Sequence, residues 1–253
     1  MAKPSVFVGD TFSTKEGYTV TIKEYNKAND ILVKFDDPAA TEIRAEVVQL
    51  RRGTLENPNH PRIKGVGFFG VGPHSARETP QRMDKKYETW TKMLTRCYDE
   101  RVRNKYPTYV ECFVTRNWHN YQEFAEWYTH QIGANSGYQL DKDLLYKNNK
   151  EYGPETCVLL PPELNKFPNK RVSCRGELPL GVNAHPKGGF IAQGSFGGYR
   201  RKTIGRYKTV EEAFNSYKEA KEGHAKFLAS LYKGKIDPRA VHALENYAVE
   251  WED

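Results

Sequence analysis

Three things are scarce in this chain of 253 residues: long apolar runs, paired cysteines and, over one stretch, acids. No window approaches the roughly 18 apolar residues that a spanning helix requires. The N-terminus MAKPSVFVGD lacks the apolar core of a signal peptide. No membrane partner and a cytoplasmic chain are therefore expected. The four cysteines, Cys97, Cys112, Cys157 and Cys174, include no CxxC pair. Structural zinc sites draw their ligands from close pairs, so no zinc is expected and buried free thiols are. Aliphatic residues are few as well. Hydrophobic residues make up 38%, aromatics 13%, and the mean hydropathy is −0.78. Small cores built on Tyr, Phe and Trp follow, divided among three small domains.

The missing acids lie between Lys170 and Lys208. Nine basic residues there, among them Lys187, Arg200, Arg201, Lys202 and Arg206, face the single acid Glu177. The local excess of +8 exceeds the +7 of the whole chain. A solvated charged face mixes signs. A tract stripped of acids points instead to a phosphate-facing surface.

What is present reads as an α+β chain in five segments. Residues 1–52 alternate apolar and polar positions in YTVTIKEY, ILVKF and TEIRAEVVQL between polar turns. That rhythm predicts a meander curled into a small β-barrel, and it resembles Tudor- or KOW-type barrels. Residues 53–82, rich in Gly, Pro and Asn, read as a linker; GVGFFGVG lacks the strand-turn-helix context of a phosphate loop. In 83–170, Trp90, Met93, Leu94 and Cys97 form one helical stripe, and Trp118, Tyr121, Phe124 and Trp127 a second packed on it. His119 and His130 flank the second helix and are weak catalytic candidates.

The stretch LDKDLLYKNNKEYGPETCVLLPPELNKF, Leu140 to Phe167, then reads as strand, loop, strand and helix. With Trp90, Arg96, Cys97, Tyr98 and the tracts LDKD, YGPETC and PPELN, residues 87–167 resemble a phage family of HNH-type, homing-endonuclease-like proteins. The resemblance implies a central ββα-metal domain with flanking helices in a bacterial host cell. Carried over by position, Asp141 is the metal carboxylate, Asn165 the helical ligand, and Asn148 or Asn149 the brace of the loop. Lys142 takes the place of the general base. A lysine near its ordinary pKa of ~10.4 is protonated at neutral pH, so it is a poor base and a good phosphate contact. With YQLDKD read as a strand, Asp141 and Asp143, two apart, point the same way and are expected to share a Mg ion. The alternative is salt bridging of these acids to Lys142, Lys147 or Lys150.

Residues 171–235 read as three strands, near 180–184, 189–196 and 201–207, and one long helix. Thr209 with Glu212 three residues later predicts a capping box at the start of that helix. Gly189, Phe190, Ala192 and the run IGRYKTVEEAF resemble the ethylene-response-factor, or APETALA-type, domain. The resemblance implies a sheet laid in the major groove, with Phe190 in place of a strand tryptophan, Asn183 in place of an arginine and Ser195 in place of a basic residue. Lys187, Gln193, Arg200, Arg201, Lys202 and Arg206 are expected to complete the nucleic-acid contact, because alternate strand residues share a face and Arg or Gln pairs with G or A edges. Residues 236–253 read as a short closing helix.

Three functions remain open on these residues. One is a phage-type protein that grips double-stranded DNA with a degenerate HNH-like core. Another is a Mg-dependent endonuclease or nickase. The third is an adaptor on RNA or a host nucleoprotein complex, favoured if Phe190, Phe196 and Tyr199 stack on unpaired bases.

Overall fold

The computed structural model describes residues 6–167, 178–196 and 202–252. They form a mixed α+β chain of several small sheets, in two compact units, 1–126 and 127–253.

The first unit opens with strands β1 (Thr11–Ser13), β2 (Thr19–Lys27), β3 (Asp30–Phe35) and β4 (Glu42–Ala45), hydrogen-bonded in that order and antiparallel throughout. Val20, Ile22, Ile31, Val33 and Phe35 alternate onto one buried face. The expected barrel does not form: the sheet stays open, and the run expected as a strand to Leu50 becomes helix α1 (Val47–Arg52). Glu46 and Gln49 cap its start reciprocally, and Val47 with Leu50, three apart, close the sheet's core. Local capping thus defeats the β-propensity of two adjacent valines.

The Gly-rich connector carries only a small hairpin, β5 (Arg77–Thr79) with β6 (Arg82–Met83). Its glycines serve close packing. A Cβ on Gly67 would stand 2.4 Å from Leu94 Cδ1 and 3.0 Å from the Trp90 ring. Helix α2 (Lys85–Tyr98) buries Trp90, Met93, Leu94 and Cys97, as their spacing predicts. Helix α3 (Glu100–Lys105) follows at once, because the Asp99 carboxylate caps it through the Val102 N–H. After strand β7 (Phe113–Val114) comes helix α4 (Tyr121–Thr129), within which the two units meet in sequence. Trp90 Nε1 donates to the Trp118 carbonyl at 2.7 Å, and Tyr87, Trp90 and Tyr121 pack ring to ring.

The second unit contains β8 (Gln139–Asp141), β9 (Glu151–Tyr152), β10 (Val158–Leu160) and the one-turn helix α5 (Pro162–Asn165). Strands β8 and β10 pair antiparallel, with Asp141 opposite Val158. A three-stranded antiparallel sheet follows: β11 (Val182–Ala184), β12 (Phe190–Gly194) and β13 (Lys202–Tyr207). Gly188 and Gly189, at φ of 82° and 77°, make the first turn of that sheet. Helix α6 (Val210–Tyr232) starts at the expected Thr209–Glu212 capping box, and α7 (Pro238–Glu245) packs back on it.

Helix α6 serves two cores. Its first half contributes Ala213, Phe214 and Tyr217 to the core under the three-stranded sheet. Its second half sends Ala225, Leu228 and Ala229, with Ile236 and Leu244, against Leu144, Val158, Leu160, Leu164 and Phe167. The boundary expected at 170/171 therefore separates elements that share a core, and Ile236 with Ala240, Val241 and Leu244 of the expected closing helix belong to it. Among the described residues no helix is long and apolar enough to cross a membrane.

Candidate nucleic-acid interface

Strand β8 ends at Asp141, so the chain turns at the expected metal carboxylate. Asp141 is buried, and its Oδ2 accepts the backbone N–H groups of Asp143 at 2.9 Å and Leu144 at 2.8 Å. A carboxylate used this way stabilises a turn. Burial pushes its pKa up to about 6, against the pull of those two N–H groups.

Lys142 is buried too, with 8% of its side chain exposed. Its Nζ donates to Asp143 Oδ1 at 2.5 Å and to the Asn149 carbonyl at 2.7 Å, and lies 5.7 Å from the Tyr152 ring centre. Asn149 answers it: Nδ2 donates to the carbonyls of Lys142 and Glu151 at 2.8 and 2.7 Å, and Oδ1 accepts the Glu151 N–H at 3.0 Å. Of the two asparagines expected to brace this loop, Asn149 has that geometry, while Asn148 supplies a left-handed residue at φ 61°. Lys142, Asp143 and Asn149 form one internal strut across the bend.

These donors do not fit a divalent ion. Asp143 lies past the end of the strand, so it does not share the side of Asp141 that alternation would give it, and its carboxylate already faces an ammonium. Asn165 donates Nδ2 to Gln139 Oε1 at 2.7 Å, tying α5 to β8. Among the described residues no three His, Cys, Asp or Glu side chains gather as a metal site. His119, in the first unit, is half-buried with Nε2 3.2 Å from the Tyr98 hydroxyl, and burial holds its pKa below the ordinary value. His130 is exposed just beyond α4. Cys97, Cys112 and Cys157 are buried, burial pushing the Cys157 thiol up to about 12; Cys174 lies outside the described residues.

The three-stranded sheet has two distinct faces. Register places Phe190 opposite Tyr207, and Ala192 opposite Val182 and Gly205, on the side that packs against α6. Phe190 is thus half-buried and packed against that core, on the side away from the open face where the contact was expected. Phe196 also turns inward, its ring 6.2 Å from that of Tyr217. The other face carries Asn183 opposite Ile191, Ile191 opposite Arg206, and Gln193 opposite Thr203. Gln193 Nε2 donates to Thr203 Oγ1 at 3.3 Å. Arg206 is exposed and uses one Nη2 to hold the carbonyls of Lys187 and Gly188, both at 2.8 Å, so it also fixes the first turn. Exposed Lys187 tips that turn, and exposed Lys202 opens β13 opposite Gly194, outside the Gln193–Thr203 row. Arg200, Arg201 and Tyr199, with Lys170, Arg171 and Arg175, lie outside the described residues.

Ile191 and Thr203 belong to the open face without having been expected there. The signal was available in the alternation back from Gln193, but the register shift between Ala192 and Gln193 hides the Thr203 pairing. Comparison of the chain with family models, curated proteins and solved structures finds no match.

Proposed function

We propose that the chain is a phage-type DNA-binding protein that grips duplex DNA through the open face of the C-terminal sheet and its flanking basic tract. On this reading 83–170 is a degenerate HNH-like domain kept as scaffold, and 171–235 is an APETALA-type domain. The observation that carries it is the polar row of Gln193, Thr203 and Arg206 around Ile191, on the sheet face that α6 leaves open. Gln and Arg match the major-groove edges of A and G, and the half-buried Ile191 offers apolar surface that suits a thymine methyl. The acid-free tract supplies charge for phosphates. Duplex is favoured over unpaired RNA on this sheet because Phe190 and Phe196 turn toward α6. Cleavage is disfavoured because Lys142 and Asp143 neutralise each other inside the bend and Asp141 is committed to backbone N–H groups.

The test follows purified full-length protein with labelled duplexes and supercoiled plasmid, in Mg or Mn and then in EDTA. Salt-sensitive duplex binding that weakens in Gln193→Ala, with no metal-dependent nicking, is expected. Nicks lost on Asp141→Ala would establish a nuclease instead, and preference for structured RNA an adaptor.

A further inference from the structure

One side chain on the open face of the C-terminal sheet is not explained by its polar neighbours. Val182, Phe190, Ile204 and Tyr207 all turn toward the core beside α6, whereas the half-buried Ile191 does not join it. Ile191 stands between Asn183 on β11 and Arg206 on β13, with Gln193 next on the same side of β12. A branched apolar group there neither fills the core nor hydrogen-bonds to water.

Most of the polar groups around it are already committed. Arg206 Nη2 holds two carbonyls of the first turn, and the Asn183 amide nitrogen is buried. Gln193 differs. Its Nε2 gives one hydrogen to Thr203 Oγ1, which steadies the amide, while the second hydrogen and Oε1 stay available to a ligand. Ile191 and Gln193 are therefore the two side chains of this face that can discriminate. Their spacing is fixed by β12. The register shift falls on β13, where Ile204 is the extra residue, so β12 keeps its alternation.

The five residues of β12, at about 3.4 Å each, span about 17 Å, more than the major groove's width of about 12 Å. The strand therefore lies along the groove, not across it. Two residues along such a strand cover about 6.8 Å, which is two base-pair steps of about 3.4 Å. An alkyl group makes no hydrogen bond, so what it distinguishes in the groove is the C5 methyl that thymine carries and cytosine lacks. The free edge of Gln193, one acceptor and one donor, matches N6–H and N7 of adenine. Double-stranded RNA fails on both counts, since its deep, narrow major groove excludes side chains and uracil has no methyl. Resting on the duplex reading, we infer that the sheet selects sites in which a C5-methylated pyrimidine under Ile191 lies two base pairs from an adenine under Gln193. Ile191 reads the methyl alone, so 5-methylcytosine substitutes for thymine there.

The test enriches a duplex from a random pool with full-length protein, then replaces each thymine singly by deoxyuridine and each adenine by 7-deazaadenine. Deoxyuridine pairs as thymine does and lacks only the methyl. One deoxyuridine should weaken binding about fourfold, the worth of one buried methyl group. At that position a guanine pair with 5-methylcytosine should bind better than one with cytosine. A 7-deazaadenine two pairs away should cost about fivefold or more. Ile191→Ala should abolish the first sensitivity and keep the second, and Gln193→Ala should do the reverse. Ile191→Val, which keeps a branched side chain in the strand, should retain a reduced response to deoxyuridine. A duplex bound without either sensitivity, sensitivities at another separation, or a deoxyuridine loss unchanged in Ile191→Ala overturns this inference and leaves the duplex reading standing. Failure to enrich any duplex overturns both.

Discussion

Lys142 illustrates how a residue's role follows from its partners. An ammonium in contact with a carboxylate and a carbonyl, with 8% of its side chain exposed, has little surface left for a DNA phosphate. Truncating it leaves the part-buried Asn149 carbonyl without its donor, at a cost of about 1 kcal/mol, the low end of the range for an unsatisfied acceptor. Lys142→Ala should lower stability by that amount in denaturant melts and leave duplex affinity unchanged. On the proposed HNH-like reading, Lys142→His supplies the side chain expected of an active centre, yet plasmid assays in Mg should still show no nicking, because Asp141 Oδ2 remains bound to two N–H groups. Nicking by that variant would mean the strut alone suppresses cleavage. Asp141 gives a pH signature. Its folded pKa of about 6 lies above the ordinary 3.8, so between those values the folded state holds a proton that the unfolded state releases. Stability from this group therefore falls as pH rises from about 4 to 6, by about 3 kcal/mol in all. Asp141→Asn, whose amide oxygen can accept the same two N–H bonds, should match the wild type below pH 4 and be more stable above pH 6 in paired melts.

At the scale of elements, the same forces decide what the sequence reveals. The three C-terminal strands lie within a residue or two of their expected bounds, because a Gly-Gly turn and a capping box mark their limits locally. The strand-loop-strand-helix order of 139–165 was legible for the same reason, being written in Asn, Gly and Pro. The side on which Phe190 falls was not. An aromatic in a three-stranded sheet reads equally as core or contact, and only the packing of α6 decides. Nor was the early end of β8, which depends on the hydrogen bonds that Asp141 makes to the next turn. The double role of α6 was hidden too, since its apolar spacing is the same on either core. Lys221 marks the place where α6 passes from one core to the other: buried, its Nζ donates to the Phe167 carbonyl at 2.8 Å and sits 3.6 Å from the Phe167 ring centre. Burial lowers its pKa from 10.5 to about 8. Between those values the unfolded state binds the proton that the folded state has lost, so this group makes stability rise with pH across the window, by about 3 kcal/mol in all. Lys221→Met should melt higher than wild type at pH 7, with the gap closing toward pH 10.5. A gap independent of pH would show that the ammonium is not desolvated.

For the whole molecule, the decisive quantity is where its charge lies. The formal +7 is exceeded by the +8 of residues 170–208, so the remainder carries a net −1. Counterion release makes the logarithm of affinity fall with the logarithm of salt by about 0.9 per phosphate neutralised. If the tract is the phosphate-facing surface, Lys187→Ala, Lys202→Ala and Lys208→Ala should each reduce that slope by nearly one. Lys15→Ala, Lys23→Ala and Lys27→Ala, exposed on the N-terminal sheet, remove the same charge and should leave the slope as it is. Arg206 is a poorer probe, since its substitution also releases the first turn of the C-terminal sheet. Gln193→Ala complements the lysines: it should narrow the affinity gap between the best and a scrambled duplex by about 1–3 kcal/mol without changing the slope. Equal loss of slope from both lysine sets would mean that the protein holds nucleic acid by its overall charge, and the open sheet face would lose its claim as the reading surface.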